Sequence, residues 1–185
     1  MNIAWRYLLI PAYPLLVVNA LVAALYALLW CRARSWQWRE GVLTFIAGQK
    51  QDGSTRLIGK PGGQGWSWIV GYASEEQRAR ADLRVHENVH VAQETAWALF
   101  FGVGGALLLG LGFPLAGLII GLSGGPVFAL TYGADFLRHY KSRPAGTGWR
   151  YAYLRICYEA HAYDVQDEYL NNMSAGQRET TWGHK

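Results

Sequence analysis

The chain has 185 residues, of which 51% are hydrophobic, 14% aromatic and only 16% charged, with a formal net charge of +4. A soluble domain carries about 25% charged residues, so this balance excludes disordered, collagenous and coiled-coil chains and points to one small domain joined to membrane segments. Nine tryptophans and eleven tyrosines suit a membrane interface, while Cys31 and Cys157 make neither a disulfide framework nor a metal-binding spacing, which fits a reducing compartment.

Residues 7–30 contain no charge and are dominated by Leu, Val and Ala. Roughly 20 such residues span a bilayer, and Pro11 and Pro14 lie near the start, where a helix tolerates them best. A cleaved signal peptide is the alternative, but the apolar run exceeds the usual core of about 7–15 residues and no A-x-A site follows. Residues 1–31 are therefore expected to form an uncleaved transmembrane anchor, with Arg32, Arg34 and Arg39 at its cytoplasmic end.

A small β-meander is expected next. Residues 41–48 are rich in β-formers, Asp52-Gly53 makes a turn, residues 55–60 return, residues 61–65 turn again, and residues 66–73 form a last strand. Trp36, Trp38, Trp66 and Trp68 fit sheet packing or the membrane interface better than substrate binding. Ser74-Glu75-Glu76-Gln77 is a capping-box start, so residues 75–97 should be one helix or two abutting ones. Residues 148–171 read as a final helix, and the residues beyond Asn172, His184 and Lys185 among them, as a frayed tail.

Between Glu94 and Asp135 lie forty residues without Asp, Glu, Lys or Arg. One straight helix of that length would reach about 60 Å, twice the hydrocarbon thickness. Gly110, Gly112 and Pro114 offer a break, giving a hairpin of residues 97–111 and 114–131 whose glycines allow close packing. A buried soluble hairpin is the alternative. Arg6 alone precedes the first span, whereas the segment 31–96 holds nine Lys or Arg and the tail after Thr131 holds seven. The positive-inside rule then puts both on the cytoplasmic side of an inner membrane. Arg78, Arg80 and Arg84, close to the second membrane entry, are expected to meet lipid headgroups. No nucleic-acid module accompanies these basic residues, so nucleic acid is not an expected partner.

His86-Glu87-Asn88-Val89-His90 is an H-E-x-x-H sequence. Residues four apart share a helix face, so both imidazoles can reach one metal ion, and Glu87 sits beside it, able to act on a water. A catalytic zinc usually has three protein ligands and one open position. The extended form with a third histidine is excluded because Gln93 and Ala96 stand where glycine and histidine would be needed.

Glu159, followed one turn later by the small Ala162, resembles the E-x-x-A glutamate helix of gluzincins. The order of H-E-x-x-H helix, hydrophobic hairpin and glutamate helix resembles HtpX-like and CAAX-protease-like membrane gluzincins. His86–Gln93 also matches the HExVHxxQ pattern of short bacterial and phage membrane proteins that carry E-x-E-A-Y downstream. Glu159–Tyr163 matches that second pattern except at His161. The resemblance implies an α+β, gluzincin-like zincin domain with Zn2+ held by His86, His90 and Glu159, and with Glu87 as general base. His161 is the rival third ligand. It also implies an edge strand that binds extended peptide, with residues 66–73 as candidate. The acid that such enzymes place four residues after the ligand glutamate is here Tyr163, with Asp164 one further on; Asp135 is the substitute for its contact to a ligand histidine.

The four expected segments are thus 1–31 (anchor), 32–96 (meander and H-E-x-x-H helix), 97–132 (hairpin) and 133–185 (glutamate helix). A single membrane crossing within the hairpin would put Glu159 on the wrong side, so the metal site and the charge pattern ask for the same double crossing. The expected function is a membrane zinc metallopeptidase whose partners are a peptide or protein substrate and membrane lipid. The oxyanion donor would be one of Tyr158, Tyr163, His139 and Arg155. The alternatives are a non-catalytic zinc-binding membrane scaffold or virion protein, and a lipid-interacting protein that binds no metal.

Overall fold

The computed structural model describes residues 3–58 and 62–172 and is α+β, a small mixed sheet set among helices. The tail residues 173–185, with His184 and Lys185, lie outside the described residues. Pro11 and Pro14 lack the N–H that an α-helix uses and clash with the preceding turn. The chain there winds as 3-10 turns over Ile3–Leu16. α-Helix begins beyond them in α1 (Val17–Leu25) and loosens into π turns over Tyr26–Trp30. Small residues line the inner side of this rod: Ala23 and Ala27 pack with Phe45 and Ile69 of the sheet. The outer side exposes Leu21, Val22, Leu25, Leu28 and Leu29.

The sheet has the order β1-β2-β4-β3, with β1 (Arg34–Arg39), β2 (Val42–Ile46), β3 (Gly63–Trp66) and β4 (Ile69–Tyr72). β1 and β2 are joined by Glu40 and Gly41, both at positive φ (51° and 82°), the backbone twist that a two-residue hairpin needs. β2 pairs parallel with β4, so the sheet is mixed and not the expected meander. Three strand expectations change with it. β1 forms where the arginine flank of the first helix is expected, with Trp36 and Trp38 at the sheet or the membrane interface. Residues 55–58 form no strand, only a bridge from Thr55 to Gln49, and residues 59–61 lie outside the described residues. Residues 66–73 are not one edge strand: Ser67 and Trp68 turn the chain, β4 is internal, and the edge beside the helices is β3. The tryptophans pack within this layer, Trp66 on Tyr26 (ring centroids 4.6 Å apart) and Trp68 on Tyr13 (5.8 Å).

Ser74 caps α2 (Glu75–Ala79) by accepting the Gln77 N–H at 3.2 Å, as the capping-box pattern requires. Arg80 is extended, and α3 (Ala81–Gly110) follows as one unbroken helix of 30 residues, about 45 Å long. Position 96, the expected segment boundary, falls inside it: the run holds no proline, and isolated glycines weaken a helix without ending it. The chain reverses at residues 111–113, with Gly112 at φ 85° and Pro114 in the first turn of α4 (Pro114–Leu122). Gly105 of α3 lies against Gly117 and Gly121 of α4 so closely that a Cβ on it would sit 2.5 Å from the Gly117 carbonyl oxygen. The returning arm breaks at Ser123, before Gly124-Gly125-Pro126, and α5 (Gly124–Lys141) leaves at 46° to α4. The final helical region is also two pieces, α6 (Trp149–Tyr153) and α7 (Cys157–Asn171).

Among the described residues, Ile10–Trp30 and Ala81–Gly110 are long and apolar enough to cross a membrane, and α4 with α5 adds a third span if the bent pair counts as one. Glu94, near the middle of α3, is buried and accepts from Asn19 Nδ2 at 2.7 Å and the Ser67 N–H at 2.6 Å. It ties the first helix, α3 and the β3–β4 turn together. Arg78, Arg80 and Arg84 each have protein partners: Arg78 has Glu75 and the Ser35 carbonyl, Arg80 has Asp82, and Arg84 has Glu40.

Candidate metal centre

His86 and His90 project from the same face of α3, and α7 packs along α3 so that Glu159 meets them. Ala162, one turn after Glu159, is fully buried, and its small side chain permits the close approach. Glu159 Oε2 lies 3.3 Å from His86 Nε2, and Oε1 lies 3.2 Å from His90 Nε2. The two Nε2 atoms are 3.3 Å apart. A tetrahedral ion with bonds of about 2.0–2.1 Å separates its ligand atoms by about 3.3–3.4 Å. Each histidine nitrogen thus stands at about that separation from the other and from one carboxylate oxygen, and the three residues can hold a metal ion. Glu159 Oε2 and His86 Nδ1 are buried with no hydrogen-bond partner. A cation between the ligand atoms would satisfy the first of these.

Burial alone would raise the Glu159 pKa, but His86, His90 and the Tyr132 hydroxyl together hold it well below the usual carboxylate range. It is therefore an anion, the state a ligand needs. Tyr132, at the first helical turn beyond the apolar arm, donates its hydroxyl to Glu159 Oε1. Tyr153 joins the same cluster; burial first, then the Glu159 carboxylate, pushes its phenol up, so it stays protonated. Tyr163 stacks on His86 with ring centroids 4.4 Å apart, and burial followed by Glu159 raises it too.

Glu87 is 4% exposed and points to the sheet edge. Its carboxylate rests on β3, where Gly65 N–H donates to it. Gly63 is the close contact: a Cβ there would lie 2.8 Å from Glu87 Oε1.

The other expected site residues fall outside the triad. His161 is exposed and bonds to Gln93. Asp164 is exposed. Asp135 accepts the Cys157 N–H at 2.9 Å and pairs with His139 at 3.5 Å, so it caps α7 and supports no ligand histidine. Of the four named oxyanion candidates, only Tyr163 touches a ligand. Tyr158 Oη meets Trp97 and Thr131, and the Arg155 guanidinium lies over the Tyr151 ring. Tyr132 and Tyr153 were missed because nothing in their spacing distinguishes them from interfacial aromatics. Comparison with family models, curated proteins and solved structures gives no match for this chain.

Proposed function

We propose that the protein is a membrane-associated zinc metallopeptidase with a gluzincin-like core. The observation that carries this reading is the convergence of three ligand side chains: His86 Nε2 and His90 Nε2 lie 3.3 Å apart, and each lies 3.2–3.3 Å from one oxygen of the Glu159 carboxylate. Zinc, when bound there, supplies a Lewis acid that polarises a scissile carbonyl. Glu87, the residue after the first ligand, takes the proton of the attacking water and returns it to the leaving amine. Tyr153 and Tyr163, protonated and beside the ligands, are the donors available to a developing oxyanion. β3 is an edge strand of the sheet, the position at which an extended peptide can add as a further strand. The hairpin sits in the bilayer, and its double crossing returns Glu159 to the cytoplasmic side that holds His86 and His90.

Gly63→Ala follows from this geometry. The added methyl displaces the Glu87 carboxylate, and a misplacement of about 1 Å costs up to about 10²-fold in rate. Peptide hydrolysis should fall toward that value with metal content unchanged. A wild-type rate in this variant would remove β3 from the positioning of Glu87.

The burial of His86, Glu87, His90 and Glu159, none more than 9% exposed, favours a second reading, a closed zinc site in a non-catalytic scaffold. Elemental analysis of the full chain purified in detergent tests the site itself. About one zinc per chain is expected in the wild type and in His161→Ala, and none in His86→Ala or Glu159→Gln. No zinc in the reconstituted wild type overturns the reading. Loss in His161→Ala with retention in Glu159→Gln transfers the third ligand to His161.

A further inference from the structure

Gln93 stands one helical turn beyond His90 and contacts both helices that build the metal centre. Its Oε1 lies 3.0 Å from His90 Nδ1. Its Nε2 donates to the Tyr158 carbonyl at 3.1 Å and lies 3.1 Å from His161 Nδ1. Tyr158 immediately precedes Glu159 in the chain.

These contacts fix one another in order. A backbone carbonyl can only accept, so the amide nitrogen must face Tyr158, and the amide oxygen then faces His90. An amide oxygen can only accept, so His90 Nδ1 must carry its proton. In the neutral imidazole that a metal ligand must be, the lone pair is then left on Nε2, the atom that faces His86 Nε2 and the Glu159 carboxylate. The second amide hydrogen finds His161 Nδ1, so every polar group of Gln93 is used. His86 has no such partner, because its Nδ1 is buried without a hydrogen bond.

We infer that Gln93 is a positioning residue for the metal centre, which selects the His90 tautomer and fastens α7 at the residue before the third ligand. It supplies from one amide what a carboxylate behind a ligand histidine supplies in other metal sites. The inference rests on the metallopeptidase reading only in that His86, His90 and Glu159 hold a metal; it does not require hydrolysis.

The experiment titrates Co2+ into the metal-free full chain in detergent, against a competing chelator, and records the visible absorption of the bound ion. Wild type, Gln93→Ala and the near-isosteric Gln93→Met are compared, with thermal melts of the metal-free proteins. Removal of a supporting contact of this kind weakens metal affinity by about 10–100-fold. Both variants are expected to show that loss and a shifted cobalt spectrum, while the metal-free Gln93→Met melts close to wild type. Wild-type affinity and spectrum in Gln93→Met would overturn the inference while leaving the metal site intact. A wild type that binds no Co2+ overturns the metal site and the role of Gln93 with it.

Discussion

Glu87→Gln is expected to lower peptide hydrolysis by about 10²–10⁴-fold, the range for loss of a positioned general base, while the chain keeps its metal. The substitution preserves shape, and the Gly65 N–H still finds an oxygen to donate to, so the packing against β3 survives. What is lost is the capacity to accept a proton from water. The ligand atoms belong to other side chains and keep their separations of 3.2–3.3 Å. Steady-state kcat/KM on a fluorogenic peptide, measured beside zinc content, checks both halves. Equal turnover in wild type and variant would remove Glu87 from the reaction. Equal metal content with no measurable turnover in either would favour the closed scaffold.

Gly105→Val is expected to force the hairpin apart. The space opposite Gly105 is already filled by backbone: a Cβ would meet the Gly117 oxygen at 2.5 Å and the Gly121 Cα at 2.7 Å, and backbone has no rotamer through which to retreat. Overpacking of this kind costs about 1–3 kcal/mol, which in a chain of this size lowers the melting midpoint by about 2–12 °C. Gly110→Ala is the control, because nothing lies within 4 Å of the position its Cβ would take. A detergent melt in which both variants behave alike would show that close approach of α3 and α4 contributes nothing to stability.

The features legible in the sequence were those set by local spacing. His86 and His90 had to share a face because they lie four apart on a helix, and Ser74 had to cap because Gln77 follows three residues later. The reversal was readable from Gly110, Gly112 and Pro114 in an apolar run too long for one span. Contacts that depend on distant partners were not readable in the same way. The alternating Trp36 and Trp38 of β1 suited a sheet and a membrane interface alike, and the arginines around them looked like the flank of a membrane span. The parallel pairing of β2 with β4 requires a crossover through residues 47–62 that no local pattern announces. Tyr132 was hidden by its place at the end of an apolar arm, and the guess that Asp135 backs a histidine failed because the residue caps α7 instead. Gln93 lay inside a motif that was recognised, but its partner Tyr158 is 65 positions away.

One helix carries both the metal ligands and the first arm of the hairpin, and this gives the molecule a built-in ruler. Seven residues separate His90 from Trp97, a rise of about 10 Å along an unbroken α3. α3 is continuous between them, and Glu94 binds its middle to the first helix and the sheet. In the orientation proposed, the height of the reaction centre above the lipid is therefore a matter of residue count. Under the proposed function, a peptide bond would then be selected by its altitude as well as by its sequence: those carried within a short reach of the headgroups would come to the centre, and those held farther out would pass it by.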